Sequence, residues 1–374
     1  MMFNGSKHIG PEQHANLISA RGGEVNAYTS NDQTVYFDDA TREALPLVID
    51  LEYERLTNLD ISEQSLDRER QVVLEERRMR TEDVPMGRAY EALFALLWQA
   101  SPYRTPPIGW RSDVEKATVD VCRRFFATYY APNNIVIAIA GDFDADVALA
   151  RIERTMGKLR PAEVIPRNPT EEPEQRGERR AVVHHDVRSP LFAAAWHAPK
   201  TGSPDAEALD VLSMILSDGR SSRLYRSLVH SAEIALSASG SYWELNDAGA
   251  FVAFASVRPG ASIAEVERRF FAEVERVRGE PVSAAELEKA KRQLEVGLVN
   301  GLATNHALAD RIGQDFSAFG RIRSLDERLA RIRAVTAADV QRVARTYLID
   351  DHRSVVQIVP PPAERASAKS RGGA

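Results

Sequence analysis

Cysteine is nearly absent from this chain: Cys122 is the single one among 374 residues. One thiol closes no intrachain disulfide and starts no cysteine-based zinc site. Its expected place is a small buried position on a helix. Long apolar runs are missing too, and nothing approaches the roughly 18 consecutive residues that a membrane-spanning helix needs. Met1 to Lys7 has neither the basic start nor the apolar stretch of a secretion signal, which at face value places the chain in the cytoplasm. There is no excess of positive charge: 48 Lys and Arg against 54 Asp and Glu give a net charge of -6. Nucleic-acid binding would need a local basic patch, and the chain has none. Lysine is scarce, seven of the 48 basic residues, a bias from which no function follows.

Several catalytic signatures are lacking as well. No Gly-x-Ser-x-Gly elbow is present, and Gly219-Arg220-Ser221-Ser222-Arg223 has one glycine where a phosphate loop needs more. His8 and His14 are six residues apart, His184 and His185 are adjacent, and His197, His230, His306 and His352 are isolated. None shows the spacing of three to five that sets two imidazoles on one helical face toward zinc. Each reads as a surface or packed histidine.

What is present is a folded chain, 44% hydrophobic and 27% charged. Its length suits two domains. Glu12 to Arg21 reads as a short helix stopped by Gly22-Gly23, followed by a hairpin of Glu24 to Ser30 and Thr34 to Asp38 around Asn31-Asp32. Helical periodicity then covers 42–58, 62–81, 86–99, 113–130 and 145–157, with a buried-type strand at Asn134 to Ala140. Residues 161–179 contain Pro161, Pro166, Pro169 and Pro173 amid charges and read as a linker. The expected domains are therefore 1–160 and 180–360, with 361–374 a disordered tail. In the second half strands are expected at 180–186, 190–197, 235–243, 249–257 and 354–359. Helices fall at 204–217, 220–231, 264–278, 284–303, 305–319, 324–333 and 336–347. Phe126 to Tyr130 precedes one strand-like segment much as Ala344 to Leu348 precedes another, which points to a duplicated α+β fold.

The most informative helix contains Leu66 to Met79. At about 100° per residue Leu66, Val72, Val73 and Met79 make one apolar arc, and Glu69 and Glu76 fall inside it, nearly two turns apart. Two carboxylates are expected to point inward. Burying an unpaired carboxylate is costly, so such groups have a cationic partner, a hydrogen-bond network or a metal. Two explanations stay open here. One is an ion pair, since Arg80 lies four residues after Glu76 and structural ion pairs outnumber metal sites. The other is metal binding.

Phe3-Asn4-Gly5-Ser6, Gly22-Gly23-Glu24-Val25-Asn26-Ala27-Tyr28-Thr29-Ser30, Thr34-Val35-Tyr36-Phe37 and Glu69 to Glu76 together resemble the pitrilysin/insulinase-type zinc metallopeptidases, the inverted-motif zincins. The resemblance continues through Tyr130-Ala131-Pro132-Asn133-Asn134, Gly141-Asp142-Phe143 and Gly219 to Tyr225, and covers nearly the whole chain. It implies two similar α+β domains, each an antiparallel sheet packed with helices as in mitochondrial processing peptidase-like proteins. Together they would form half of a clam-shaped protease whose chamber admits peptides or small unfolded proteins. In that family two histidines of His-x-x-Glu-His bind zinc, the glutamate between them is the general base, and a downstream glutamate completes the ligand set. By resemblance Glu76 is that third ligand, and Glu69 supports the site from outside the ligand set. Asn26, Ala27, Tyr28 and Thr29 would lie on the edge strand that pairs with an extended peptide substrate. From the residues alone, an ordinary hairpin strand reads the same.

Two departures from the pattern carry expectations of their own. In relatives the segment like Met1 to Gly5 follows directly after the second histidine, so the chain is expected to be truncated just downstream of its motif helix. It would then lack both histidines and the base and be inactive as given. An upstream signal sequence would make the protein periplasmic or exported. Second, many relatives carry an Arg and a Tyr that reach the substrate, and the matching positions hold Val229 and Leu236. A second homologous subunit supplying that pair is one expectation. A non-catalytic structural or interaction subunit is the alternative.

Overall fold

The computed structural model describes residues 1–362, so the expectation of disorder in the tail falls, for 363–374, outside the described residues. Its elements run α1 (Gln13–Ser19), β1 (Glu24–Thr29), β2 (Thr34–Asp39), α2 (Leu45–Asn58), α3 (Glu63–Arg77), α4 (Pro85–Leu97), α5 (Arg111–Lys116), α6 (Val119–Tyr129), α7 (Ala145–Thr155) and β3 (Arg179–His184). They continue through β4 (Leu191–Ala198), α8 (Ala206–Ser217), β5 (Ala235–Trp243), β6 (Gly249–Val257), α9 (Ile263–Gly279), α10 (Ala284–Asn300), α11 (Asn305–Phe319), α12 (Leu325–Ala334), α13 (Ala337–Tyr347) and β7 (Arg353–Val359). The architecture is α+β.

Two compact units divide the chain, and neither is contiguous. The first takes Met1–Arg77, Pro107–Pro169 and Gly301–Ile322; the second takes Arg78–Pro106, Thr170–Asn300 and the chain from Arg323 on. One crossing, Pro169 to Thr170, lies inside the proline-rich stretch 161–179. The other crossings have no counterpart in a division at that stretch alone. They arise because α4 and α11 pack away from their sequence neighbours.

In the first unit, α1 ends where Gly22 takes a left-handed φ of 76°. A Cβ on Gly23 would come within 2.5 Å of the Asp39 carbonyl oxygen and 2.7 Å of Ile18, so a glycine is required for the chain to turn into β1. β1 and β2 form an antiparallel pair in which Asn26 faces Phe37 and Tyr28 faces Val35, as the alternating sequence predicts. The core here is modest: Ile49 of α2 packs with Ala148 and Met156.

Three sequence expectations are corrected in this structure. Residues 135–140 form no strand and pair with none among the described residues, and Val136 and Ile137 are exposed rather than buried. A strand is a relation between two segments, and apolar alternation alone does not supply the partner. Cys122 does lie on a helix, α6, but is half-buried. The helix expected over 220–231 becomes a π-helical turn at Tyr225–Ser231. The glycine and serines before it have low helix propensity and hold a turn instead.

The second unit holds a five-stranded mixed sheet in the order β3-β7-β4-β6-β5, with β3 and β7 parallel and the other pairs antiparallel. Both its faces are covered, which is why β4 reads as a continuous apolar run instead of an alternating one. Phe192, Ala194 and Trp196 turn toward α8, α9 and α13, while Leu191, Ala193 and Ala195 turn toward Leu93, Phe94 and Leu97 of α4. The Gly219-to-Tyr225 segment is tied to α10 by Arg223, whose Nε and Nη2 donate to the Glu286 carboxylate at 2.8 and 3.1 Å. Glu286 also accepts from the Ser283 backbone N–H at 3.1 Å, as in a capping box.

The Arg223 hydrogen bonds, then the Ser283 ones, outweigh partial burial and hold the Glu286 carboxyl down at about 2. A depressed carboxylate stabilises the fold above its unfolded pKa, and that contribution is lost as pH falls from about 4 through about 2. The pair is partly exposed and therefore screened, so Glu286→Gln is expected to cost about 1 kcal/mol at neutral pH. Urea unfolding of both proteins should show the difference closing in acid. A gap unchanged at the lowest pH would refute the assignment.

Candidate metal and peptide site

The stripe of α3 that packs inward consists of Leu66, Arg70, Val73 and Arg77. Leu66 and Arg77 are buried; Arg70 Nη2 donates to the Ala117 carbonyl at 2.7 Å, and Arg77 Nη1 to the Gly109 carbonyl at 2.8 Å. These bonds link the helix to the chain flanking α5. The expected apolar arc is thus corrected: Val72 is 55% and Met79 59% exposed. Val72 and Met79 face solvent because Arg70 and Arg77, gripping carbonyls with their heads and packing with their stems, take the inward stripe.

Glu69 and Glu76 consequently sit on the shoulder of the helix, roughly a quarter turn from the inward stripe, and both are half-buried. Seven residues at 1.5 Å per residue separate them by about 10 Å along the axis. Glu69 is well held. Its Oε2 lies 3.1 Å from the amino group of Met1, and its Oε1 accepts from Asn4 Nδ2 at 2.8 Å. Partial burial would raise the Glu69 carboxyl, but the Met1 ammonium and Asn4 outweigh it and leave it below the ordinary glutamate range. The beginning of the chain therefore lies against the face that carries both acids.

Asn26, Ala27, Tyr28 and Thr29 occupy β1, whose second edge has no strand partner among the described residues. An open edge offers unpaired N–H and C=O groups to an extended peptide. Tyr28 is pinned from the side by α11: its hydroxyl donates to Asp310 Oδ1 at 2.5 Å and accepts from Gln314 Nε2 at 3.2 Å. Burial, then the Asp310 contact, pushes the phenol up to about 12.

In the second unit, Val229 lies in the π-helical turn and packs against the core, and Leu236 on β5 is 50% exposed. Neither side chain can donate a hydrogen bond.

A zinc site with three protein donors needs them clustered around one point. Among the described residues the one set of three His, Cys, Asp or Glu donors close enough to hold an ion is His14, Asp38 and Glu52. Glu76 is not among them, so the described residues do not complete a zinc site at Glu76. By sequence His14 reads as a surface or packed histidine, and nothing in the sequence marks Asp38 or Glu52. The three come from α1, β2 and α2, and no fixed spacing links them.

Comparison with known proteins gives a consistent outcome. Residues 1–108 match the family described as Insulinase (Peptidase family M16), and residues 116–294 match the Peptidase M16 inactive domain. The chain is 28% identical over 361 residues to the zinc protease PqqE of Helicobacter pylori, covering 96% of this chain and 81% of that protein. It is 30% identical over 339 residues to an uncharacterized zinc protease of Mycobacterium bovis, covering 89% and 76%. The crystal structure of a protease from Helicobacter pylori superimposes with a TM-score of 0.92 at 28% identity, covering 96% of this chain and 87% of that one. A peptidase M16 inactive domain from Pseudomonas fluorescens shares the fold, with a TM-score of 0.84 at 19% identity over 97% and 87% of the two chains.

Proposed function

This chain belongs to the insulinase-type M16 metallopeptidase family, and from that premise we propose that it serves in zinc-dependent hydrolysis of peptides, with Glu76 as one zinc ligand. The observation that carries the reading is the place of Met1: its amino group touches Glu69, on the shoulder of α3 that also bears Glu76. A segment joined there would arrive beside Glu69. One carboxylate alone falls two short of the usual three protein ligands, so a zinc site at Glu76 needs two further donors and a general base. Zinc, when held, polarises the scissile carbonyl and eases deprotonation of the attacking water. The chain's own contributions are three. Glu76 offers a carboxylate oxygen to the metal. Glu69, held by Asn4, keeps negative charge on the same shoulder of the helix. The open edge of β1, from Asn26 to Thr29, aligns an extended peptide by backbone hydrogen bonds.

The test is peptide cleavage by two proteins, the 374-residue chain alone and the same chain with a helical segment ending in His-x-x-Glu-His joined to Met1. The first is expected to be inactive and the second active. Cleavage by the unextended chain would refute the assignment of the missing donors.

A non-catalytic subunit of a peptidase-like assembly is the second reading. It is favoured by Val229 and Leu236 standing where many relatives have an Arg and a Tyr. A well-folded extended protein that cleaves nothing even when mixed with a homologue carrying that Arg/Tyr pair would establish it.

A further inference from the structure

The first unit contains a buried group of donors that the peptidase reading does not use. His14 is 7% exposed, and its Nε2 lies 3.1 Å from Asp38 Oδ1. The Asp38 side chain is 5% exposed. Glu52 completes the set, and one donor atom from each residue lies within 4.8 Å of the others. Around a metal with bonds of about 2.1 Å, neighbouring ligand atoms stand roughly 3.0–3.5 Å apart. The His14–Asp38 separation already falls in that range. The Glu52 carboxylate would have to move in to complete the set.

Two further observations concern what surrounds the donors. Arg55, buried at 4% exposure, donates through Nη2 to Glu52, while its Nη1 has no acceptor among the described residues. The guanidinium is held in place by the rings of Tyr36 at 4.6 Å and Phe3 at 5.3 Å. A small cavity adjoins, and its walls include His14, Arg55, Phe3 and Ser6. The donor set therefore has a rigid frame and a fixed outer partner for one carboxylate.

We propose that His14, Asp38 and Glu52 form a second metal site, separate from Glu76, for a divalent first-row cation of the zinc class. One imidazole and two carboxylates suit a borderline cation better than calcium or magnesium, which take six or more oxygens. The three ligands come from α1, β2 and α2, so the ion ties together the elements around the hairpin that carries Asn26 to Thr29. The site stands whether or not the chain serves a peptidase.

The experiment uses the 374-residue chain stripped of metal and titrated with zinc chloride, reading stoichiometry by calorimetry and melting temperature by circular dichroism. One equivalent is expected, with a rise in melting temperature. His14→Gln and Asp38→Asn should each abolish uptake, and Glu76→Gln should leave it intact. Circular dichroism of the metal-free variants shows which are folded. Glu52→Gln, at the most accessible of the three donors, serves if the others unfold. The proposal is overturned if the native chain takes up no zinc, as a closed network of side-chain contacts among His14, Asp38, Glu52 and Arg55 would behave. It is also overturned if folded His14→Gln and Asp38→Asn still bind one equivalent, or if uptake depends on Glu76.

Discussion

Glu76→Gln, made in the chain extended with a His-x-x-Glu-His segment, is expected to lose the zinc that depends on α3 and to cut peptide cleavage by roughly 10³-fold, equivalent to about 4 kcal/mol of lost transition-state stabilisation. The amide keeps the size and helix propensity of glutamate, so α3 should remain in place through Arg70 and Arg77, whose carbonyl partners the change does not touch. What it removes is the anionic oxygen. A neutral amide is a poor zinc ligand, and a metal left with two imidazoles has lost one of its three anchors. Glu69→Gln should act more weakly, on the order of 10- to 100-fold, because it alters the surroundings of a ligand and not the ligand itself. The order of the two effects is the informative result. If Glu69→Gln proved the more damaging, the ligand and its support would have to be exchanged. Unchanged zinc content and activity in Glu76→Gln would remove Glu76 from the metal altogether.

Trp196→Ala is expected to be the most destabilising single change in the second unit, by about 3–5 kcal/mol. The indole is 1% exposed in the middle of β4 and meets Phe251 and Phe271 edge to face at 6.2 and 6.1 Å. Truncation would open a large cavity between the sheet and α9, lined by rings too rigid to collapse into it. Trp196→Phe should behave differently. The indole N–H has no acceptor among the described residues, and an unmet buried donor costs about 1–3 kcal/mol. Phenylalanine loses area but sheds that cost, so it should stay within about 1 kcal/mol of the native protein. Urea unfolding of both variants separates the two contributions. Equal losses for Phe and Ala would mean that the N–H is satisfied and that a hydrogen bond, not packing, holds the residue.

Local order was legible where its cause is local. The stop at Gly22-Gly23, the β1–β2 hairpin and the helices from α8 to α13 follow from turn residues and from 3.6- or two-residue periods, signals that act across a few positions. The candidate site was legible only in part. Glu69 and Glu76 stand out because a heptad places two acids on one side of a helix, and the motif around them connects the chain to a family. Their depth was misread, since an apolar period does not reveal that Arg70 and Arg77 reach the Ala117 and Gly109 carbonyls and take the inward stripe.

By itself, then, the sequence determined which segments coil, which extend, where they turn, and that α3 bears paired acids. The tertiary structure alone decided which side of α3 faces the interior, that 135–140 pairs with no strand among the described residues, and that His14, Asp38 and Glu52 meet. Backbone torsions and side-chain periods are settled between near neighbours, whereas burial, strand pairing and donor clustering depend on partners tens of residues away. No spacing along the chain encodes those partners before it folds.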